Sequence, residues 1–150
     1  MGKHLYPDFE DFLDALNKCA VEYVLVGGFA VIYHGYERTT GDIDIWVNNT
    51  RENYSRIEQA FGLFRMSIFD MTLENFLAPD KFDVFKFGRS PVRIDILTAC
   101  KGLNFKEAYE NSTRLKFDGI EVNMIDLKDL IKAKKAAGRF KDLDDLEQIS

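Results

Sequence analysis

The sequence predicts an α/β (α+β) chain, on three observations. Short apolar runs bounded by turn residues alternate with stretches whose apolar residues recur at helical spacing. A glycine pair, Gly27-Gly28, separates the first such run from a second apolar segment. Asp118-Gly119 lies between two strand-like runs near the C-terminus, a hairpin signal. The 150 residues suffice for a core, and no repeat, linker or low-complexity stretch divides them. Residues 1–150 are therefore expected to form one domain.

The elements follow in order. Phe9, Phe12, Leu13 and Leu16 recur at helical spacing, which predicts a helix over 7–20, with Asp8, Glu10 and Asp11 favoured by the dipole in its first turn. Residues 22–26 read as a buried strand, and 28–34 as a short helix begun at the glycines and stopped by Gly35. A strand is expected over 42–47 and a helix over 51–61. Residues 64–81 hold Met66, Phe69, Met71, Phe76 and Pro79 and read as part strand, part lid; their phenylalanines suit a core or a stacking surface. Strands over 82–87 and 92–97 flank a turn at Gly88-Arg89-Ser90-Pro91. A helix over 105–111 precedes the hairpin of 113–117 and 120–125. Asp126 caps a helix ended by Gly138, and a last short helix spans 143–149.

Composition excludes several classes. No stretch is apolar for long enough to span a membrane, and the N-terminus lacks a signal-peptide pattern, so a cytoplasmic protein is expected. A net charge of −5 argues against a general nucleic-acid-coating surface. Positive charge gathers near the C-terminus, at Lys128, Lys132, Lys134, Lys135, Arg139 and Lys141. Cys19 and Cys100 have no metal-like spacing and read as buried small residues. His4 and His34 form no zinc pair; His34 reads as a helix-end residue. There is no P-loop signature.

The chemistry-bearing stretch is 23–47. An apolar strand is followed by Gly27-Gly28, then Arg38-Thr39-Thr40-Gly41, then Asp42-Ile43-Asp44-Ile45. Side chains on a strand alternate faces, so Asp42 and Asp44 point one way and Ile43 and Ile45 the other. On 92–97, Arg93 and Asp95 share a face. If these strands are neighbours, three carboxylates converge. Such anions repel and raise one another's pKa unless a cation lies between them, and Mg²⁺ or Mn²⁺ takes oxygen ligands. An acid-apolar-acid alternation also suits a wet strand face, and a glycine pair also suits a tight turn. The joint order of these features favours the site.

The pattern resembles the nucleotidyltransferase superfamily of the DNA polymerase beta type. An apolar strand, Gly27-Gly28, Asp42-x-Asp44 and a later Asp95 match its motif. The runs Val26-Gly27-Gly28-Phe29-Ala30 and Arg38 to Ile45 resemble a small bacterial subgroup related to abortive-infection toxins. Lincosamide and aminoglycoside (antibiotic) nucleotidyltransferases open similarly. The run Leu130-Ile131-x-x-Lys134 with Gly138-Arg139-Phe140-Lys141-Asp142-Leu143 is also like that subgroup.

The resemblance implies a mixed, twisted sheet flanked by helices, with further C-terminal helices. It implies attack by an acceptor hydroxyl on the α-phosphate of a nucleoside triphosphate. Asp42, Asp44 and Asp95 would hold Mg²⁺ (or Mn²⁺), with Asp95 as proton acceptor. Backbone N–H groups at Gly27 and Gly28 would cradle the phosphates. Arg38, Thr40, Lys134 and Arg139 are further candidates to bind nucleotide; the alternative for Arg38 is a salt bridge to one of the acids, and for Lys134 and Arg139 a solvated helix end. The acceptor is a protein, a tRNA end or a small molecule, and a partner protein or homo-oligomer could complete its recognition. A toxin–antitoxin or phage-defence setting is one expectation. A non-catalytic nucleotide- or partner-binding, antitoxin-like module and an antibiotic-modifying enzyme are the alternatives.

Overall fold

A computed structural model describes residues 7–36, 40–89, 92–117 and 119–150. Its elements run α1 (Pro7–Lys18), β1 (Tyr23–Val26), α2 (Gly27–Tyr33), β2 (Asp42–Val47), α3 (Arg51–Phe64), α4 (Leu73–Phe76), β3 (Val84–Arg89), β4 (Val92–Leu97), α5 (Phe105–Asn111), β5 (Thr113–Phe117), β6 (Ile120–Met124), α6 (Leu127–Ala137) and α7 (Phe140–Ile149). The strands form one six-stranded sheet in the order β3-β4-β2-β1-β6-β5. It is mixed: β1 runs antiparallel to β2 and parallel to β6, while β2 and β4 are parallel. Helices flank it, so the architecture is the expected α/β one.

Register assigns the two faces. Ile43 lies opposite Ile94, and Phe87 opposite Ile94 on the next strand, so these apolar residues share a face. Phe61 of α3 packs edge-on against Phe87 at 4.9 Å, and Phe12 of α1 against Phe61 at 5.7 Å. Helices α1 and α3 thus cover the Ile43 face, where full burial of side chains this size stabilises by about 1.5–3 kcal/mol each. The opposite face carries Asp42, Asp44 and Trp46. There Phe105 of α5 meets Trp46 edge-on at 5.2 Å.

Several boundaries differ from expectation for local reasons. Helix α3 runs a turn longer, through Gly62, until Arg65 turns left-handed at its end. Between Phe64 and Val84 the structure has no strand; its regular element is the single turn of α4, capped by Thr72. Met71 and Phe76 there are core residues, whereas Phe69 is largely exposed. Gly88 and Arg89 remain in the β3–β4 ladder instead of forming the expected turn. The turn residues Ser90, Pro91 and Asp118, like His4, lie outside the described residues. Helix α6 has the expected ends, with Asp126 accepting from the Lys128 N–H and Gly138 left-handed. Helix α7 starts three residues before the expected one. Among the described residues, no helix is long and apolar enough to cross a membrane.

Candidate active site

The sheet's centre brings the acidic residues together. Asp44 on β2 lies opposite Asp95 on β4, and Asp42 opposite Arg93. Asp95 is buried to 9 % exposure. The Asp44 carboxyl is pushed up to about 7, first by burial, then by the negative charge of Asp95, a hydrogen bond shared with it, and the charge of Asp42. Lys141 acts on Asp44 in the opposite sense. The pair is therefore short of positive charge.

Two cations that the sequence did not flag as functional answer part of that need. Lys86 Nζ donates to Asp95 Oδ2 at 3.4 Å, from the position directly opposite on β3. Arg93 Nε donates to Asp42 Oδ1 at 3.0 Å. Alternation put Arg93 on the acid face, but Lys86 follows only once β3 is known to pair with β4.

The glycine turn abuts the acids. Gly27 has a φ of +70°, a left-handed conformation that costs a side-chain-bearing residue about 1–2 kcal/mol. A Cβ there would lie 2.7 Å from the Cβ and Cγ of Asp44 and overlap its carboxylate. At Gly28 a Cβ would lie 2.6 Å from Thr40 Oγ1. Thr40 Oγ1 in turn donates to the Asp42 carbonyl at 3.3 Å. Gly27, Gly28, Thr40, Asp42, Asp44 and Asp95 therefore occupy one locality. Arg38, with Thr39, lies outside the described residues.

Lys134 departs from expectation. It is not an exposed helix-end lysine but is only 7 % exposed. Its Nζ donates to Asp142 Oδ1 at 3.2 Å and pairs with Asp145 Oδ2 at 3.1 Å. Arg139 keeps an exposed side chain yet grips Asp142 through Nε at 2.6 Å and a second guanidinium nitrogen at 3.2 Å. Asp142 also accepts the Arg139 backbone N–H at the start of α7. Burial pushes the Asp142 carboxyl up, but the bonds from Arg139 and Lys134 outweigh it and hold it below the usual range. Arg139 is itself raised, by that hydrogen bond first.

The remaining expectations resolve simply. His34 caps the end of α2 and shares a 2.8 Å hydrogen bond with the Ile125 carbonyl. Cys19 and Cys100 are half-buried rather than buried, and burial raises the Cys100 thiol to about 11, far from a thiolate nucleophile.

Asp44 and Asp95 could hold a divalent cation between paired strands, with Asp42 two residues away on the same face. Among the described residues, however, no three His, Cys, Asp or Glu side chains converge as a metal-binding group. Asp44 and Asp95 meet directly, while the Asp42 carboxylate accepts from Arg93 and acts on Asp44 through its charge.

No curated protein gives a significant match to the chain. A family model described as "Nucleotidyltransferase of unknown function (DUF6036)" matches residues 7–150, which include the glycine turn, all three acids and the α6–α7 ion cluster. The chain belongs to this nucleotidyltransferase family.

Proposed function

We propose that the chain is a metal-dependent enzyme that transfers a nucleoside monophosphate from a triphosphate to an acceptor hydroxyl. The observation that carries this is the register of Asp44 against Asp95 beside a glycine that leaves no room for a side chain. The donor set fits Mg²⁺ or Mn²⁺, since it offers hard carboxylate oxygens. The elevation of the Asp44 carboxyl marks a site short of positive charge. When bound, such an ion neutralises phosphoryl charge and polarises the phosphoryl oxygens.

The chain's own groups supply the rest. Backbone at Gly27 and Gly28 lets the triphosphate approach the acids closely. Asp95 takes the proton of the acceptor hydroxyl as its oxygen bonds to the α-phosphorus. The bond from the α-phosphorus to the bridging oxygen breaks, and pyrophosphate leaves with that electron pair. Asp42 and Asp44 orient the nucleotide.

The test has two stages. Mg²⁺ with a triphosphate should raise the melting temperature, because a ligand of the folded state stabilises it. Asp44→Asn should remove most of that shift. Asp95→Asn should retain binding yet lose transfer of α-phosphate label by about 10²–10⁴-fold, the usual span of general-base catalysis. Equal transfer by Asp95→Asn would remove that residue from the mechanism. The ion pair of Asp42 with Arg93 favours a second reading, a nucleotide-binding module without catalysis. Binding without transfer to any acceptor in a cell extract would establish that reading instead.

A further inference from the structure

The nucleotide's phosphates need cationic side chains, and the lysine expected to serve is spent elsewhere. Lys134 is buried and its ammonium is divided between Asp142 and Asp145. Another lysine is placed for the task.

Helix α7 is held on two sides. Its buried seam, Asp142, Asp145 and Ile149, faces inward, with both aspartates on Lys134 of α6. On the adjoining flank, Lys141 and Asp144 are three residues apart and so are neighbours on the helix surface. Tyr36 OH donates to Asp144 Oδ2 at 2.8 Å. The Tyr36 backbone N–H donates to the Val31 carbonyl at 3.2 Å, and Val31 lies about one turn past Gly28 on α2. The flank bearing Lys141 is therefore held beside α2, the helix that begins at the glycine turn. Lys141 is exposed and has no ion-pair partner among the described residues.

We propose that Lys141 is the side chain of α7 that binds the triphosphate's phosphates, and that Lys134 is the buried tether holding α7 over the site. This rests on the nucleotidyltransferase reading above. The influence of Lys141 on Asp44 agrees with the placement. Arg139, committed to Asp142 by two side-chain bonds, serves chiefly to fix the start of the helix.

Binding measured by calorimetry tests this, with inorganic tripolyphosphate and ATP, GTP, CTP and UTP as probes, each with Mg²⁺. Lys141→Gln should weaken each by about tenfold or more, the scale of one charged hydrogen bond. The loss should be similar for all five, because the lysine contacts phosphate and not base. Its melting temperature without ligand should match the wild type, as should that of Lys141→Arg, which should restore much of the affinity. Lys128→Gln, at the far end of α6, should bind normally. Wild-type affinity in Lys141→Gln would overturn the assignment and leave the enzyme reading intact. Absence of binding by the wild type to every probe would overturn both.

Discussion

Lys134→Met should destabilise this protein by about 3–5 kcal/mol, the usual loss when one partner of a buried ion pair is removed. Methionine fills the space of the lysine stem and deletes only the charge. What remains is Asp142, wholly buried, and Asp145, 1 % exposed, both deprived of the ammonium that joins α7 to α6. Asp142 keeps Arg139 and Asp145 keeps a further interaction, so the low end of the range, about 3 kcal/mol, is the better figure. For a domain of this size, roughly 2–4 °C of melting temperature accompanies each kcal/mol, which gives a drop of about 6–12 °C. Urea unfolding should show a lower midpoint at an unchanged slope. Lys128→Met, on the exposed first turn of the same helix, should stay within about 0.5 kcal/mol. A loss below about 1 kcal/mol in Lys134→Met would refute the tether, because no buried carboxylate would then depend on it.

Other consequences are as direct. The Asp44 carboxyl is raised in the folded protein, so its contribution is fully present below about pH 4 and is lost as pH rises through about 7. Asp44→Asn should therefore be more stable than the wild type at pH 8, by on the order of 2–4 kcal/mol without metal, and near parity at pH 4; parity at both would refute the charge shortage. Asp142 has the opposite sign: its lowered carboxyl stabilises above the unfolded range near pH 4, and that contribution is lost on acidification, so Asp142→Asn should flatten the acid limb of the stability curve. Gly27→Ala should destabilise by at least about 1–2 kcal/mol from its backbone alone and displace Asp44, so triphosphate binding should fall with it; normal binding would remove the glycine from the site. Lys86→Gln and Arg93→Gln should each tighten Mn²⁺ binding, read as free Mn²⁺ by electron paramagnetic resonance, since each removes a cation that competes for the carboxylates. Weaker Mn²⁺ binding would show that these residues order the acids instead.

The parts of the fold legible in the sequence are those whose signal is local. β2 and β4 alternate charged and aliphatic residues, and α6 lies between an aspartate cap and a glycine stop. α7 defeated the same reasoning at its start. Its first apolar residues, Phe140 and Leu143, are exposed, whereas the charged Asp142 and Asp145 are buried, and Ile149 is buried only at the far end. Hydrophobic periodicity cannot register a helix face that is buried through ion pairs to another helix. Residues 65–83 failed for a related reason. They are held by long-range bonds, Tyr54 OH to the Met71 carbonyl at 2.8 Å and Asn49 to the Phe76 carbonyl, which no local pattern records.

The site divides along the same line. Spacing alone put Asp42 and Asp44 on one face, and the order of the glycine pair ahead of those acids singled out Gly27 and Gly28. What it could not supply was charge balance. Whether Asp95 meets Asp44 or passes it by one residue is set by the β2–β4 register, and a slip of one would turn it to the face of α1 and α3. That same register fixes which cations the acids meet. Lys86 reaches Asp95 only because β3 folds back on β4, and Arg93 reaches Asp42 only because β2 and β4 are parallel. Lys134 illustrates the reverse case, in which a lysine in a basic run is withdrawn from solvent by two aspartates further along the chain. Counting basic residues near the C-terminus therefore found the helix pair but not which of its lysines is buried. An exposed cation beside an acidic site is free to meet a phosphate, whereas one already shared by two buried carboxylates would have to abandon them to do so.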